Sequence, residues 1–462
     1  MKILLTRPWN RTSMLIPNHG LAYLASMLKK KGHQCQITDC IKDKIRQKEF
    51  SRIVSEGDFD LVGFQVYTFD LDILEAYLSS IERTRIIIAG GPHPSADPVG
   101  FLSRFTSVRY CFRGEAENSF PLLVDLLESN PNPNTDALRQ IRGLYFRDGE
   151  NISGTPPEFV TDLDSFGFPD WDQISPKSYP IAPQGTFTKA IPYAPIIITR
   201  GCPFPCTFCA GKLVSGKKIR SRSVDHVISE LTYLKDRFGI KEFHIQDDNF
   251  THYRDYVLEF CEKLIDSKLN LHWACPNGIR LDSLDVETIQ AMNAAGCYSV
   301  AVGIEAGTQR ILDLMKKHVD VNDMISKVKL IRQLTDWYIT GFFILGYPSE
   351  TIEEIKATIR LSLDLPIDKA NYGILMPLPG TEAAEAAIEF GWNPDKDLSR
   401  MSEYRSPFTP SGISAFRFRW LFRYAFIRFY ARPKIVMRIL GQVHSMDQFK
   451  ILAKRFWDVI SP

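Results

Sequence analysis

The sequence predicts an α/β protein in two parts, a doubly wound parallel sheet followed by a partial (β/α)6 barrel, with a helical C-terminal extension. Three observations carry this. Apolar runs alternate with amphipathic stretches over residues 1–130. The same alternation restarts at 191 and continues to 390. Residues 131–190, between the two, are rich in Pro, Asn and Asp. Strands nearly continuous in Val, Ile and Leu are those that helices cover on both faces, and repeated strand–helix units build parallel sheets.

Taken in order, KILLTR (2–7) is the first strand. In HGLAYLASMLKKKGH, Leu21, Leu24, Ala25 and Leu28 share one helical face, and Gly32 ends the helix. QCQITD (34–39), DLVGFQVY (60–67), RIIIAGG (85–91) and VRYCFRGE (108–115) complete five strands. Ligands of such sheets lie beyond the carboxyl ends of the strands, here 10–20, 67–70, 90–97 and 114–117. GLYFRDGENIS reads as a hairpin, followed by an irregular linker. The second part offers IIIT (196–199), KEFHIQ (241–246), LHWACP (271–276), SVAVGIE (299–305), ITGFFILG (339–346) and NYGILMP (371–377) as strands. Helices such as VDHVISELTYLKDRFG separate them, and the chemistry of a barrel lies at its C-terminal strand ends.

Of 462 residues, 44% are hydrophobic and 24% charged, which excludes a disordered, collagen-like or repeat chain. No run approaches the roughly 18 apolar residues of a spanning helix. MKILLTRPWN lacks the apolar core and cleavage site of a signal peptide, so a cytoplasmic location is expected. Nine scattered cysteines suit a reducing compartment, where clustered thiols serve metals or catalysis. Charge is uneven. Residues 412–462 hold ten Lys/Arg and two Asp/Glu, leaving 46 and 52 in 1–411.

The most informative segment follows the first barrel strand: Arg200-Gly201-Cys202-Pro203-Phe204-Pro205-Cys206-Thr207-Phe208-Cys209. Three thiolates in a C-x3-C-x2-C loop can hold three irons of a 4Fe–4S cluster and leave the fourth open. The alternatives are a structural zinc knuckle, which wants four closed ligands, and unconnected core cysteines.

This loop resembles that of the radical S-adenosylmethionine (SAM) superfamily. The resemblance implies Cys202, Cys206 and Cys209 as cluster ligands and Phe208 against the adenine of SAM. It further implies Asp247 and Asp248, at the second strand end, as acceptors for the SAM amino group, where many members have Gly-Gly-Glu. Glu305 would meet the ribose or methionine part, and Gly346 ends a strand resembling the adenine-stacking one. For Asp247 and Glu305 the alternative is a structural strand-end acid.

Gly90-Gly91-Pro92-His93-Pro94 and Arg113-Gly114-Glu115-Ala116-Glu117 resemble the cobalamin-binding, Rossmann-like domain of one radical SAM branch. So do Asp162 to Pro169, Arg220-Ser221-Arg222-Ser223 and Pro377-Leu378-Pro379-Gly380-Thr381, and the likeness covers about 1–390. It implies Tyr67, Thr68, Gly90, Gly91, Pro92, His93, Gly114 and Glu115 as cobalamin contacts. No Asp-x-His-x-x-Gly loop is present: none of His19, His33 and His93 has Gly three residues on. The resemblance therefore implies cobalamin with its own base displaced and no protein histidine below the cobalt. A dinucleotide site is poorly supported without Gly-x-Gly-x-x-Gly after the first strand.

The implied function is methylation of an unactivated carbon through methylcobalamin and a 5′-deoxyadenosyl radical. The implied partners are a small-molecule or lipid-like substrate and an electron donor such as flavodoxin or ferredoxin. The rivals are oxidative cyclisation or rearrangement with the same cofactors, a methylthiotransferase, and a non-enzymatic binding protein. A methylthiotransferase would need a second cluster, for which only Cys35, Cys40 and Cys111 are available. In the tail, a helix capped near Ser411 or Ser414 and broken at Pro433 carries Phe416, Trp420, Tyr424 and Ile427 at helical spacing among arginines. Residues 412–462 would lie on anionic lipid at the inner membrane face, or the stripe would pack on the barrel. No nucleic-acid recognition motif accompanies the basic residues.

Overall fold

A computed structural model describes residues 1–10, 15–82, 84–179, 188–398, 401 and 408–441. In the N-terminal sheet, β1 (Lys2–Arg7), β2 (Gln34–Asp39), β3 (Leu61–Gln65), β4 (Ile86–Gly90) and β5 (Tyr110–Phe112) run parallel in the order β2-β1-β3-β4-β5. Helices cover both faces. Leu4 packs with Phe50 and Phe101 on one side, while Ile3 and Leu5 meet Leu21 and Phe120 on the other. Helix His19–Lys30 is capped by Asn18, whose Oδ1 accepts from the Leu21 N–H at 3.1 Å.

The hairpin is part of this sheet. Its strands β6 (Leu144–Asp148) and β7 (Asn151–Gly154) add antiparallel to β5, making seven strands. An open β5 edge would leave backbone groups unpaired, and the hairpin satisfies them. The linker that follows is also packed. Trp171 is buried and donates from Nε1 to Glu230 at 2.8 Å, while Gln173 accepts from the Ile37 N–H and donates to the Cys35 carbonyl. It straps the β2 edge to the second domain.

There, β8 (Tyr193–Ile196) is followed by the short β9 (Thr199–Arg200) and β10 (Arg220–Ser221), which pair with each other antiparallel. The remaining strands are β11 (Glu242–Ile245), β12 (His272–Ile279), β13 (Cys297–Glu305), β14 (Tyr338–Leu345) and β15 (Lys369–Ile374). The six-stranded parallel sheet has the order β15-β14-β13-β12-β11-β8. The first barrel strand thus leaves the sheet at Ile196, earlier than IIIT implied. Asp247 explains this: it accepts from the N–H groups of Ile198 and Thr199, both at 2.7 Å, and turns the chain towards β10. Within the sheet, Phe243 of β11 stacks on Trp273 of β12 with ring centres 5.9 Å apart, and Phe260 of helix Arg254–Asp266 closes the layer edge-on.

Ser414 caps helix Ala415–Tyr430, and a second helix, Pro433–Leu440, follows. Phe418, Leu421, Phe422, Ala425 and Phe429 are its buried face, against β15 and helix Ile352–Asp364. The stripe singled out in the sequence is mostly on the other side, although its Tyr424 is partly buried against the core. Phe416 is 77% exposed and Trp420 53%, and Ile427 is also exposed. The rest of the tail, 442–462, lies outside the described residues. No helix among the described residues is long and apolar enough to cross a membrane.

Candidate functional site

The cysteine loop leaves β9 through Gly201 at φ +93°, where a Cβ would come within 2.3 Å of the Lys218 carbonyl oxygen. Only glycine fits there. The loop is tied to three other segments, the end of helix Gln309–Leu314, the turn after β14 and the start of helix Glu382–Glu389. The Thr207 N–H donates to the Met315 carbonyl, its hydroxyl meets the Tyr347 hydroxyl at 3.0 Å, and its carbonyl accepts from the Ala383 N–H. Cys206 is buried, Cys202 partly so, and Cys209 lies at the exposed rim with the Gly211 N–H 3.4 Å from its Sγ. Burial pushes the Cys202 and Cys206 thiols above their usual range, while Arg280 pulls both down. Ligands of one zinc ion would sit about 3.8 Å apart, from Zn–S distances near 2.3 Å. Among the described residues no three His, Cys, Asp or Glu converge to hold a single ion. A set of soft thiolates that each take a separate iron fits the loop.

A cavity of about 280 Å³ separates the carboxyl ends of the two sheets. Tyr67, Gly90, Gly91, Pro92, Gly114 and Glu115 line it from the N-terminal side, and Arg200, Gln246, Asp247 and Asp248 from the barrel side. A Cβ on Gly90 would meet only Phe112, at 3.9 Å, so the space over this residue is open to a ligand. Two of the expected contacts are elsewhere. Thr68 and His93 are buried against each other, Oγ1 to Nδ1 at 3.2 Å, and neither lines the cavity. Burial drops His93 to about 4, and its ring meets Phe101 edge-on. It is a neutral core histidine. His19 is likewise committed, its Nε2 lying 2.8 Å from the Pro195 carbonyl.

An ion network that sequence reasoning missed closes one wall. Glu115 takes a bidentate pair from Arg220 at 2.7 and 2.6 Å, and Glu117 pairs with Arg200 at 2.7 Å. The four side chains are almost fully buried, so each charge depends on its partners. The sequence sets Glu115 and Glu117 after β5, Arg200 at the end of β9 and Arg220 at the start of β10. Only the docking of the domains brings them together.

The other predicted residues divide. Phe208 is half-buried against the barrel core, and exposed Asp248 stands beside Cys209, near Gly211. Asp247 is pushed up to about 7 by burial, against three hydrogen bonds from Ile198 and Thr199. Its oxygens hold the backbone. Glu305, at φ +64°, pairs with buried Lys317 at 2.7 Å, and a Cβ on Gly303 would clash with both partners. Gly346 is covered: Phe418 of the C-terminal helix lies 2.5 Å from where its Cβ would be, and its N–H donates to Glu350. Arg280 was also missed. Its position after β12 carries no sequence signal beyond a strand end.

Residues 12–124 match the B12 binding domain family and residues 196–362 the Radical SAM superfamily. An uncharacterised methyltransferase of Pyrococcus horikoshii is 29% identical, over 96% of each chain. The cytidylyl-2-hydroxyethylphosphonate methyltransferase of Streptomyces wedmorensis is 27% identical over 83% of this chain and 80% of its own. Further matches include an anaerobic magnesium-protoporphyrin IX monomethyl ester cyclase and a putative methylthiotransferase. The structure of the cobalamin-dependent SAM radical enzyme OxsB, with aqua-cobalamin bound, superposes with a TM-score of 0.74 at 16% identity. It covers 99% of this chain and 71% of that one.

Proposed function

We propose, from its Radical SAM and B12-binding domains, that the chain is a methyltransferase acting on an unactivated carbon. The cavity shared by both strand-end faces supports the reading, since it sets the Gly90 turn opposite Arg200 and Asp248, which flank the cysteine loop. When bound, a 4Fe–4S cluster supplies the electron that cleaves SAM, and cobalamin carries the methyl group.

The chain's own part is placement and shielding. Cys202, Cys206 and Cys209 would hold the cluster, and Asp248, a carboxylate near Cys209, would accept from an ammonium group. Asp247 fixes the loop entry instead of contacting SAM. The Arg200–Glu117 and Arg220–Glu115 pairs tie the two domains together at one wall of the cavity. Tyr67, Gly90, Gly91, Pro92 and Gly114 form the seat for cobalamin, with no histidine at its surface. An external reductant such as flavodoxin or ferredoxin supplies electrons.

Reduced protein carrying both cofactors, given SAM without oxygen, should yield 5′-deoxyadenosine together with S-adenosylhomocysteine, read by mass spectrometry. Methyl transfer leaves the second product; a cyclase or rearrangement enzyme gives the first alone. 5′-Deoxyadenosine without S-adenosylhomocysteine would move the chain to that second class.

We propose further that the outward face of the tail meets a membrane surface. Residues 415–440 hold seven Lys/Arg and no Asp/Glu, and Phe416, Trp420 and Met437 project among them. Exposed aromatics flanked by arginines match the interface of an anionic bilayer, which would suit a lipid-like substrate. Full-length protein should sediment with phosphatidylglycerol vesicles at low salt and not with phosphatidylcholine ones. Replacing Phe416, Trp420 and Ile427 by Ser leaves the packed face intact and should abolish this. Undiminished sedimentation of that variant removes the membrane reading, as does preference for nucleic acid over vesicles.

A further inference from the structure

Arg280 follows β12 and is 7% exposed. Its guanidinium stands 3.5 Å from the centre of the Phe204 ring, inside the cysteine loop. Nε and Nη2 are held by Asp282 at 3.0 and 2.9 Å, and Nη2 also donates to the Lys317 carbonyl at 3.0 Å. Nη1 is buried with no hydrogen-bond partner among the described residues. An unpaired donor on a buried cation is costly and calls for an explanation. Phe204 stands between Cys202 and Cys206 in the chain, so the guanidinium lies against the segment that carries both thiols. The other groups facing this corner are the Lys317–Glu305 pair, whose charges offset each other, and Asp248. Arg280 is therefore the cation here whose nearest counter-ion, Asp282, is itself half open to water.

We propose that Arg280, stacked on Phe204, sets the reduction potential of the cluster that the cysteine loop holds. This rests on the cluster reading above. Reduction adds one electron to a centre already made negative by three thiolates, so a fixed buried cation stabilises the reduced form and raises the midpoint potential. Charge and hydrogen bonds near the sulfurs are the levers by which a protein tunes such a centre, and a desolvated charge acts further than a solvated one. The stacking fixes the distance, and the free Nη1 leaves one donor for the cluster's own sulfur. Arg280 is a positioning and tuning residue, with no part in bond making.

The test is a redox titration followed by electron paramagnetic resonance, on full-length, anaerobically reconstituted protein without SAM. Variants are compared at matched iron content. Arg280→Gln should lower the midpoint, and Arg280→Lys, which keeps the charge, should stay close to the native value. Asp282→Asn should raise it by freeing the cation from its counter-ion, and it reads the same effect should Arg280→Gln fail to retain iron. An unchanged or lowered midpoint in Asp282→Asn overturns the proposal, as does an unchanged one in Arg280→Gln. Native protein that takes up no iron would instead overturn the cluster reading beneath it.

Discussion

Cys206→Ala is expected to lose most of the bound iron, from about four per chain for one 4Fe–4S cluster. The brown absorption should disappear with it. Cys206 is the most enclosed of the three loop cysteines, and the loop around it is held by Thr207 contacts to Met315, Tyr347 and Ala383. Removing one of three thiolates leaves the remaining two unable to close a cluster whose fourth iron already lacks a protein ligand. Cys261→Ala provides the control. That cysteine is buried in helix Arg254–Asp266, remote from the loop in sequence, and its thiol is kept protonated by burial, which pushes it up to about 12. Iron and absorbance should survive there. Iron content by colorimetry and the visible spectrum check both, and full iron in Cys206→Ala would exclude the loop as the cluster site.

Gly90→Leu should weaken cobalamin binding strongly while leaving the fold intact. Its Cβ meets nothing nearer than Phe112 at 3.9 Å, so the longer side chain must enter the cavity. Overfilling a packed site costs about 1–3 kcal/mol, which corresponds to roughly a ten- to hundredfold loss of affinity. The neighbouring Gly91 does not separate binding from folding. It sits at φ +100° with Gln65 only 3.0 Å from its Cβ position, so any side chain there strains the domain itself. Titration with hydroxocobalamin, alongside thermal unfolding, distinguishes the two. Native affinity in Gly90→Leu would place the cofactor elsewhere.

Much of this was legible in the chain. Five apolar strands alternating with helices dictated a doubly wound sheet, because such runs can be buried only when both faces are covered. The cysteine spacing named its chemistry, since few soft-ligand centres suit three thiolates in one short loop. The helix cap at Ser414 and the break before Pro433 were local, and local signals carry over directly into structure.

What the sequence could not decide was direction. Asp247 and Asp248 are adjacent acids at one strand end, yet one is locked onto backbone N–H groups and the other faces the loop. His93 lies in the very turn that lines the cavity and points into the core. The tail carries two apolar stripes a fraction of a turn apart, and only the barrel edge determined that Phe418, Leu421 and Phe429 face inward while Phe416 and Trp420 do not. The ion network of Glu115, Glu117, Arg200 and Arg220 exists only because two domains meet. Residue type and spacing determine which chemistry is possible. Which atom faces the site depends on burial and long-range pairing, and these are settled only when the sheets close on each other.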